Sequence, residues 1–189
     1  MTTPQKEMTG LYQELTRLRE RLNQLKHETA KGEVADYELT GSAGNTVKLS
    51  ELFGDKNDLI VVQNMGKSCP YCTLWADGFI GLAEHLSDRA AFVLVSPDSS
   101  DVVRDFADSR GWNFTVLSSA GSDFKKDLGF ENEQGEFMPG VSTFRRGDDG
   151  SIHNVANDMF GPGDAYCAAW HFFDLLQDGS NDWSPKYSY

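Results

Sequence analysis

The sequence lacks the features that would place a protein in a membrane or outside the cell. No run approaches the roughly 18 consecutive apolar residues that a membrane-spanning helix needs, and the N-terminal segment is polar and rich in glutamate rather than charged and then apolar. Only 3 cysteines occur among 189 residues, too few for a disulfide-stapled extracellular scaffold. These absences lead us to expect a cytoplasmic protein without a membrane partner.

Basic residues are also scarce relative to acidic ones. The 17 lysines and arginines face 29 aspartates and glutamates, so the formal net charge is −12. Such a field repels nucleic acids, which proteins attract with basic stripes, and we expect no nucleic-acid partner. The acidic residues of segment 98–108 are expected to lie on solvated faces and turns. A hydrophobic content of 39% with 6 prolines is typical of an ordinary globular domain with decorations.

The N-terminal segment predicts a long amphipathic helix from about Gln5 to Ala30. A narrow leucine stripe of this kind either packs against the helix's own domain or forms a coiled-coil seam with a second subunit. Both alternatives stay open, and the second implies a homodimer. We divide the chain into this helix (1–31), a central domain (32–179) and a C-terminal tail (180–189). The stripe, with alternating spacings of four and three residues, consists of Leu11, Leu15, Leu18, Leu22 and Leu25.

The central part of the chain alternates predicted strands and helices, which is the signature of a parallel sheet with covering helices. The closing segments predict an antiparallel hairpin followed by a helix. The predicted elements are a hairpin over 36–39 and 46–49, a helical turn at 50–54, strands at 58–65, 91–96 and 114–117, helices at 72–86, 99–110 and 122–128, an exposed loop at 130–140, a hairpin over 141–146 and 151–155, and a helix from 163 or 164 through 176.

The motif that carries chemistry is Cys69-Pro70-Tyr71-Cys72. Cysteines at i and i+3 at a helix start lie on one face, with the first sulfur near backbone amides that have no helical partner. Those amides, the helix dipole and a nearby cation can lower a cysteine pKa from roughly 8.5 into about 3.5–7.5, and Lys67 is the nearest candidate cation. Proline at the first intervening position suits the turn that enters a helix. We predict that Cys69 is the nucleophile and Cys72 the resolving thiol of a redox-active disulfide.

A strand, then Cys-Pro-Tyr-Cys, then a helix resembles the thioredoxin superfamily, and the motif itself matches the glutaredoxin active site. The order of the whole chain is similar to the larger peroxiredoxin-like branch. The resemblance implies an α/β thioredoxin-like fold, a central mixed sheet flanked by helices, with an N-terminal helix and β-hairpin extension. Residues from about 10 to 180 resemble the bacterial thioredoxin-like family DUF899, through Leu52-Phe53-Gly54, Leu59-Ile60-Val61, Cys69 to Cys72 with Trp75-Ala76-Asp77, Gly111-Trp112, Ser118-Ser119 with Gly121 to Phe124, and Pro139 to Ser142.

The predicted substrate-docking loop departs from thioredoxin. Thioredoxins place a cis-proline before the strand of the terminal hairpin, facing the dithiol, and the matching position here is Ser142, after Val141. A cis bond before serine costs roughly 2.5–4 kcal/mol, so we expect a trans peptide, although the backbone there could still face a bound thiol. Ser68 stands where thioredoxin has tryptophan. Trp75, on the same helix as Cys72, is interpreted as core packing rather than substrate recognition.

The sequence also departs from peroxidases and zinc proteins. Peroxiredoxins carry a proline seven residues and a threonine or serine three residues before the peroxidatic cysteine. Counted from Cys69 those positions hold Val62 and Gly66, and counted from Cys72 they hold Met65 and Cys69, so the pattern is absent in both cases. The dithiol and His85 imitate half of a zinc finger, but no second half follows, so we expect no metal. Cys167 lies in an apolar segment, where a free cysteine behaves as a small hydrophobe.

The leading functional prediction is a thiol-disulfide oxidoreductase acting on a protein or small-molecule disulfide. Cys69 would attack and Cys72 would resolve, with electrons from an external thiol or reductase and no bound cofactor. The alternative is a non-catalytic or redox-sensing dimeric scaffold in which the dithiol is a sensor or inert. A thiol peroxidase is the third reading of the same motif.

Overall fold

The computed structural model describes residues 2–189, which form eight strands, six α-helices and one 3-10 helix. In chain order the elements are α1 (Thr3–Glu28), β1 (Gly32–Val34), β2 (Glu38–Gly41), β3 (Thr46–Lys48), the 3-10 helix (Leu49–Phe53), β4 (Asp58–Gln63), α2 (Pro70–Phe79), α3 (Ala83–Arg89), β5 (Ala91–Ser96), α4 (Ser100–Arg110), β6 (Thr115–Ser118), α5 (Phe124–Asp127), β7 (Gly140–Arg146), β8 (Ile152–Met159) and α6 (Ala168–Phe173).

All eight strands belong to one mixed sheet in the order β1-β8-β7-β4-β5-β6-β2-β3. The central strands β4, β5 and β6 are parallel, and β7 pairs antiparallel with β4. The hairpin β2–β3 extends one edge through β6, while β8 and β1 extend the other. The predicted architecture, a mixed sheet flanked by helices with an N-terminal helix and hairpin extension, is confirmed.

Alternate residues of β4 face two hydrophobic clusters, one on each side of the sheet. Val62 packs with Cys72 and Trp75 of α2, whereas Val61 packs with Phe124 of α5. Covering a strand on both faces requires apolar residues on both faces, which explains its continuous hydrophobic sequence. The carboxyl end of β4 is therefore a place where side chains from α2 and α5 can approach each other.

The bounds of two predicted helices and the exposure of one predicted loop are wrong. The helix predicted over 72–86 is two helices, α2 and α3, since glycines at 78 and 81 disfavour a continuous helix. The last helix is only α6, because Asp164 Oδ1 accepts the backbone N–H groups of Tyr166 and Cys167 and so holds a turn before it. The loop predicted to be exposed buries Phe130, which is 1% exposed.

The leucine stripe of α1 does not pack against the rest of the chain. No residue of α1 is buried, and its five predicted stripe leucines are between 38% and 59% exposed. The last turn of α1 contacts β8, where Lys26 Nζ lies 2.5 Å from Asp158 Oδ2 and His27 Nδ1 lies 3.0 Å from the Val155 carbonyl oxygen. Of the helices within residues 2–189, none is both long and apolar enough to cross a membrane.

Candidate functional site

The dithiol lies where β4 leads into α2. Cys69 is the N-cap of α2 with extended backbone angles (φ −96°, ψ 107°), and Pro70 takes the first helical position. The Cys69 Sγ accepts the backbone N–H of Cys72 at 3.1 Å, in the way that a capping oxygen would. Both thiols are free, with Cys69 half-buried and Cys72 only 3% exposed. The partly accessible sulfur is thus the one at the helix N-terminus.

Hydrogen bonds make Cys69 a thiolate near neutral pH. The pKa of Cys69 is lowered to about 6, chiefly because the Cys72 thiol donates a hydrogen bond to its sulfur. Backbone N–H groups of Cys72 and Tyr71 lower the pKa further, while partial burial opposes them. A thiolate is the nucleophilic form of cysteine, so this geometry suits attack on an electrophilic sulfur or oxygen.

Cys72 has the opposite tendency and stays protonated. Its hydrogen bond to Cys69, its burial and the negative charge on Cys69 all raise the pKa of Cys72 above the usual range. The backbone amide of Met65 and the charge of Lys125 oppose this rise. The two sulfurs therefore differ in protonation: Cys69 is the thiolate that an attacking role requires, and Cys72 is a thiol held in reserve for the resolving role.

The candidate cation Lys67 contributes in a different way from the one predicted. No lysine is among the groups that lower the pKa of Cys69 in the described residues, and Lys67 is exposed. Its backbone N–H instead donates to Asp98 Oδ2 at 2.6 Å, and the same carboxylate accepts the Ser96 hydroxyl at 3.2 Å. Asp98, expected on a solvated face, anchors the loop that presents the dithiol. Sequence reasoning missed it because the contact spans 31 residues.

Gly66 is required by the conformation of that loop. Its φ is +106°, and a side-chain Cβ there would lie 3.1 Å from Asp98 Oδ2. Its N–H donates to Asn64 Oδ1 at 2.7 Å, and its carbonyl accepts the Cys69 N–H at 3.2 Å. A β-branched threonine cannot adopt this φ without strain. The loop geometry thus accounts for glycine at the position where peroxiredoxins carry threonine or serine.

Aromatic side chains form one wall of the site. The Tyr71 ring stacks on Trp170 of α6 at 6.1 Å and lies 6.3 Å from Trp75. Trp75 is 3% exposed and packs against Phe160 at 5.3 Å, in keeping with its interpretation as a core residue. Ser68, on the other side of Cys69, is exposed. Of the two residues that flank the Cys69-Pro70 pair, Tyr71 therefore packs against aromatic rings, while Ser68 is in contact with solvent.

The predicted docking loop divides between the two faces of the sheet. Val141 pairs with Val62 and packs in the cluster that contains Cys72, whereas Ser142 pairs with Val61. Ser142 is 0% exposed, and its hydroxyl accepts the Gln63 amide N–H at 3.1 Å. Every peptide bond among residues 2–189 is trans, as expected before Ser142. Sequence reasoning did not find Gln63, whose polarity is unusual at the end of an apolar strand.

The C-terminal tail docks beside the dithiol. Trp183 lies 4.9 Å from Phe173 and 5.8 Å from Trp170, ring to ring. The Tyr187 carbonyl accepts a hydrogen bond from Arg110 Nη1 at 2.6 Å. Partial burial raises the pKa of Tyr187, and the negative charge of the Cys69 thiolate raises it further. The tail is therefore part of the surroundings of the site.

The remaining candidates lie apart from this chemistry. Cys167 is 8% exposed at the start of α6, and burial raises its pKa, as befits a small hydrophobe. His85 is in α3. Within residues 2–189, no three His, Cys, Asp or Glu side chains come together as a metal site would require.

Similarity to known proteins identifies the family. The family model described as "Bacterial protein of unknown function (DUF899)" matches residues 5–189. The chain belongs to this family. Its sequence is also 28% identical to the chloroplastic peroxiredoxin Q of Sedum lineare over 144 residues. The matched region covers 75% of this chain and 76% of that protein.

Solved structures place the family member among thioredoxin-like proteins. Peroxidoxin BcpB from Mycobacterium tuberculosis is 27% identical, with a TM-score of 0.55 over 67% of this chain and 82% of that one. Xanthomonas campestris peroxiredoxin Q is 18% identical, with a TM-score of 0.54 over 65% of this chain and 78% of that one. The thioredoxin-like fold expected from the sequence is confirmed, in its larger peroxiredoxin-like form.

Proposed function

We propose that this DUF899 protein is a thiol-disulfide oxidoreductase that reduces a protein or small-molecule disulfide. Cys69 attacks one sulfur of the substrate disulfide, whose S–S bond breaks; the other sulfur leaves as a thiolate and a mixed disulfide forms with Cys69. Cys72 then attacks the Cys69 sulfur, which forms the Cys69–Cys72 disulfide and releases the remaining substrate sulfur as a second thiolate. An external thiol or reductase returns the Cys69–Cys72 disulfide to the dithiol. No bound cofactor takes part in this proposal.

The observation that carries the proposal is the difference in ionisation between two neighbouring sulfurs. The pKa of Cys69 is lowered to about 6 at a half-buried position, while the pKa of Cys72 is raised at a buried one. An attacking thiol with a pKa near ambient pH is the most effective one in disulfide exchange. The partner thiol lies on the same face of α2 and can close the ring.

Thiol peroxidase activity is the second candidate, favoured by the similarity to peroxiredoxin Q and peroxidoxin BcpB. Breaking an O–O bond needs a hydrogen-bond donor for the departing oxygen, beside the attacking sulfur. Gly66 stands at the position where peroxiredoxins supply a hydroxyl, and the hydrogen bonds to Cys69 Sγ in the described residues come from Cys72 and the helix backbone. The site geometry therefore favours disulfides over peroxides.

The test compares substrates and single cysteine variants of the full chain. We expect reduction of insulin or hydroxyethyl disulfide by the native protein, and at least about 100-fold less by Cys69→Ser, because a serine hydroxyl is not ionised at neutral pH. Cys72→Ser should accumulate a mixed disulfide that mass spectrometry detects. Cys167→Ser is the matched control and should keep native activity.

Two results would decide against the proposal. Equal, negligible disulfide reduction by the native protein and Cys69→Ser would favour the scaffold or sensor alternative. Rapid turnover of hydrogen peroxide with slow reduction of both disulfides would favour the peroxidase instead.

A further inference from the structure

A buried lysine of α5 lies at the end of β4 from which the chain leads to the dithiol. Lys125 is 1% exposed, and its Nζ donates a hydrogen bond to Gln63 Oε1 at 3.0 Å. An ammonium carries three donor protons, but this is the single hydrogen bond of the Lys125 amine among residues 2–189. No carboxylate of those residues lies within ion-pair distance of the amine. An unpaired buried ammonium is costly, so burial lowers the pKa of Lys125 to about 7.

The acceptor of that bond is itself held in a fixed orientation. Gln63 is 0% exposed, and its Nε2 donates to the hydroxyl of Ser142, which is also fully buried. Because the amide nitrogen is bonded to Ser142, the amide oxygen faces Lys125. Two buried polar side chains, Gln63 and Ser142, thus hold the Lys125 amine at the end of β4, an arrangement that apolar residues would replace if only packing mattered.

Lys125 and the resolving thiol act on each other electrostatically. The charge of Lys125 lowers the pKa of Cys72, and a thiolate at Cys72 raises that of Lys125. The other ionisable groups that act on this pair are Cys69, on Cys72, and Glu131, on Lys125. Both members reach the carboxyl end of β4, Lys125 through Gln63 and Cys72 through the amide of Met65.

We propose that Lys125 accepts the proton of Cys72 when that thiol resolves the mixed disulfide, an inference that rests on the proposed disulfide exchange. In the reduced protein the Cys72 thiol donates its hydrogen bond to the Cys69 thiolate. Once Cys69 is bonded to the substrate sulfur, it can no longer hold that proton, and a buried thiol needs another base before it can attack. The neutral amine of Lys125 is positioned near this end of β4 to act as that base.

The resolving step conserves protons and electrons. The Cys72 proton moves to the Lys125 amine, and the Cys72 sulfur attacks the Cys69 sulfur. A Cys69–Cys72 disulfide forms, the bond between Cys69 and the substrate sulfur breaks, and that sulfur leaves as a thiolate. The two cysteines together lose two electrons, which the substrate disulfide gains. The buried ammonium then returns its proton to solvent, since no thiolate remains to stabilise it.

The test separates attack from resolution with dithiobis(nitrobenzoate), using the full chain with Cys167→Ala. Attack by Cys69 releases the first thionitrobenzoate, and resolution by Cys72 releases the second. In the protein with native Lys125, the rate of the second release should rise with pH around a midpoint near 7, the value for Lys125. In Lys125→Met the second release should slow at least about tenfold at pH 7, with its midpoint moved up by about one unit or more, while the first stays within about twofold.

Lys126→Met is the matched control, since Lys126 is the exposed neighbour and loses the same charge. Equal second-release rates and midpoints in the Lys125 and Lys126 variants would overturn the inference. So would a midpoint above 9 in the protein with native Lys125, a measurement that does not depend on the folding of any Lys125 variant. Absence of a second release even with native Lys125 would instead count against the proposed function, so the two failures are distinguishable.

Discussion

At the scale of single residues, the same few atoms set the ionisation of both active-site sulfurs. The Cys72 thiol donates to Cys69, which lowers the pKa of the acceptor and raises that of the donor. The helix N-terminus adds two backbone N–H groups at Cys69 but not at Cys72. The hydrogen bond between the two cysteines is therefore the largest single cause that distinguishes the nucleophile from its resolving partner.

This bond predicts how Cys69 titrates. Alkylation of Cys69 by iodoacetamide should rise with pH around a midpoint near 6. Cys72→Ala removes the principal hydrogen-bond donor, so the midpoint should move upward, whereas Cys167→Ala should leave it unchanged. A midpoint at the ordinary cysteine value in the native protein would contradict the geometry described for the site.

Gly140 is a position where the packing of neighbouring atoms leaves no room for a side chain. A Cβ at Gly140 would overlap the Asp158 carbonyl oxygen and the ring of Phe130, and Gly140 pairs with Gln63 across β4 and β7. We expect Gly140→Ala to lower the free energy of unfolding by about 1–3 kcal/mol, measured in urea. Gly78→Ala is the control, because its Cβ would meet nothing within 4 Å in α2 and should stabilise the protein by about 0.5–1 kcal/mol. The same sign of change in both variants would refute this account.

At the scale of elements, the site depends on segments that hold α2 from outside. The loop before α2 is anchored by Asp98, beyond the end of β5, and the tail covers α6 through Trp183. The tail reaches the neighbourhood of the dithiol at Tyr187. We therefore expect access to Cys69 to depend on how firmly the tail is docked.

Removing the tail's aromatic contact should increase that access. Trp183→Ala loses ring contacts with Trp170 and Phe173, so we expect faster hydrogen exchange in residues 180–189 and several-fold faster alkylation of Cys69. Leu175→Ala is the control, since Leu175 is 83% exposed and should change neither rate. Unchanged alkylation in Trp183→Ala would show that the tail does not limit access.

At the scale of the whole molecule, α1 presents an apolar face that its own domain leaves uncovered. We propose that a second copy of the chain covers it as a coiled coil. Glu14 and Arg19 flank the seam at positions where they would form an ion pair between parallel helices. Arg21 of one helix would face Lys26 of the other, which has the same charge. The charge of Lys26 is already paired with that of Asp158 in its own chain. The seam positions, spaced three and four residues apart, are Met8, Leu11, Leu15, Leu18, Leu22 and Leu25.

The dimer is tested by light scattering of the full chain. The native protein should have twice the chain mass of 21.0 kDa, and Leu15→Glu with Leu22→Glu should have the single-chain mass, because charges in a buried seam are not tolerated. Gln13→Glu with Thr16→Glu adds the same two charges outside the seam and should stay dimeric. A native protein that is monomeric at every concentration would rule the proposal out. The division into helix, central domain and tail stays a prediction alongside it.

Local sequence determined the parts of this protein that local physics controls. The apolar runs at 58–63 and 91–96, the polar turn between β2 and β3, and Cys69-Pro70 at a helix start each specify their structure over a few residues. The dithiol was identified in this way. The start of the last helix was nevertheless predicted wrongly, because the Asp164 side chain competes with the helix for backbone N–H groups.

Only the tertiary structure decided what surrounds the sulfurs. Lys125, Gln63 and Ser142 come from three separate segments, and burial alone turns a lysine in a short polar helix into a candidate base. Asp98 and Tyr187 likewise reach the site across long stretches of chain. Desolvation and long-range hydrogen bonds depend on which surfaces meet when the sheet is covered, and the residue types by themselves do not contain that information.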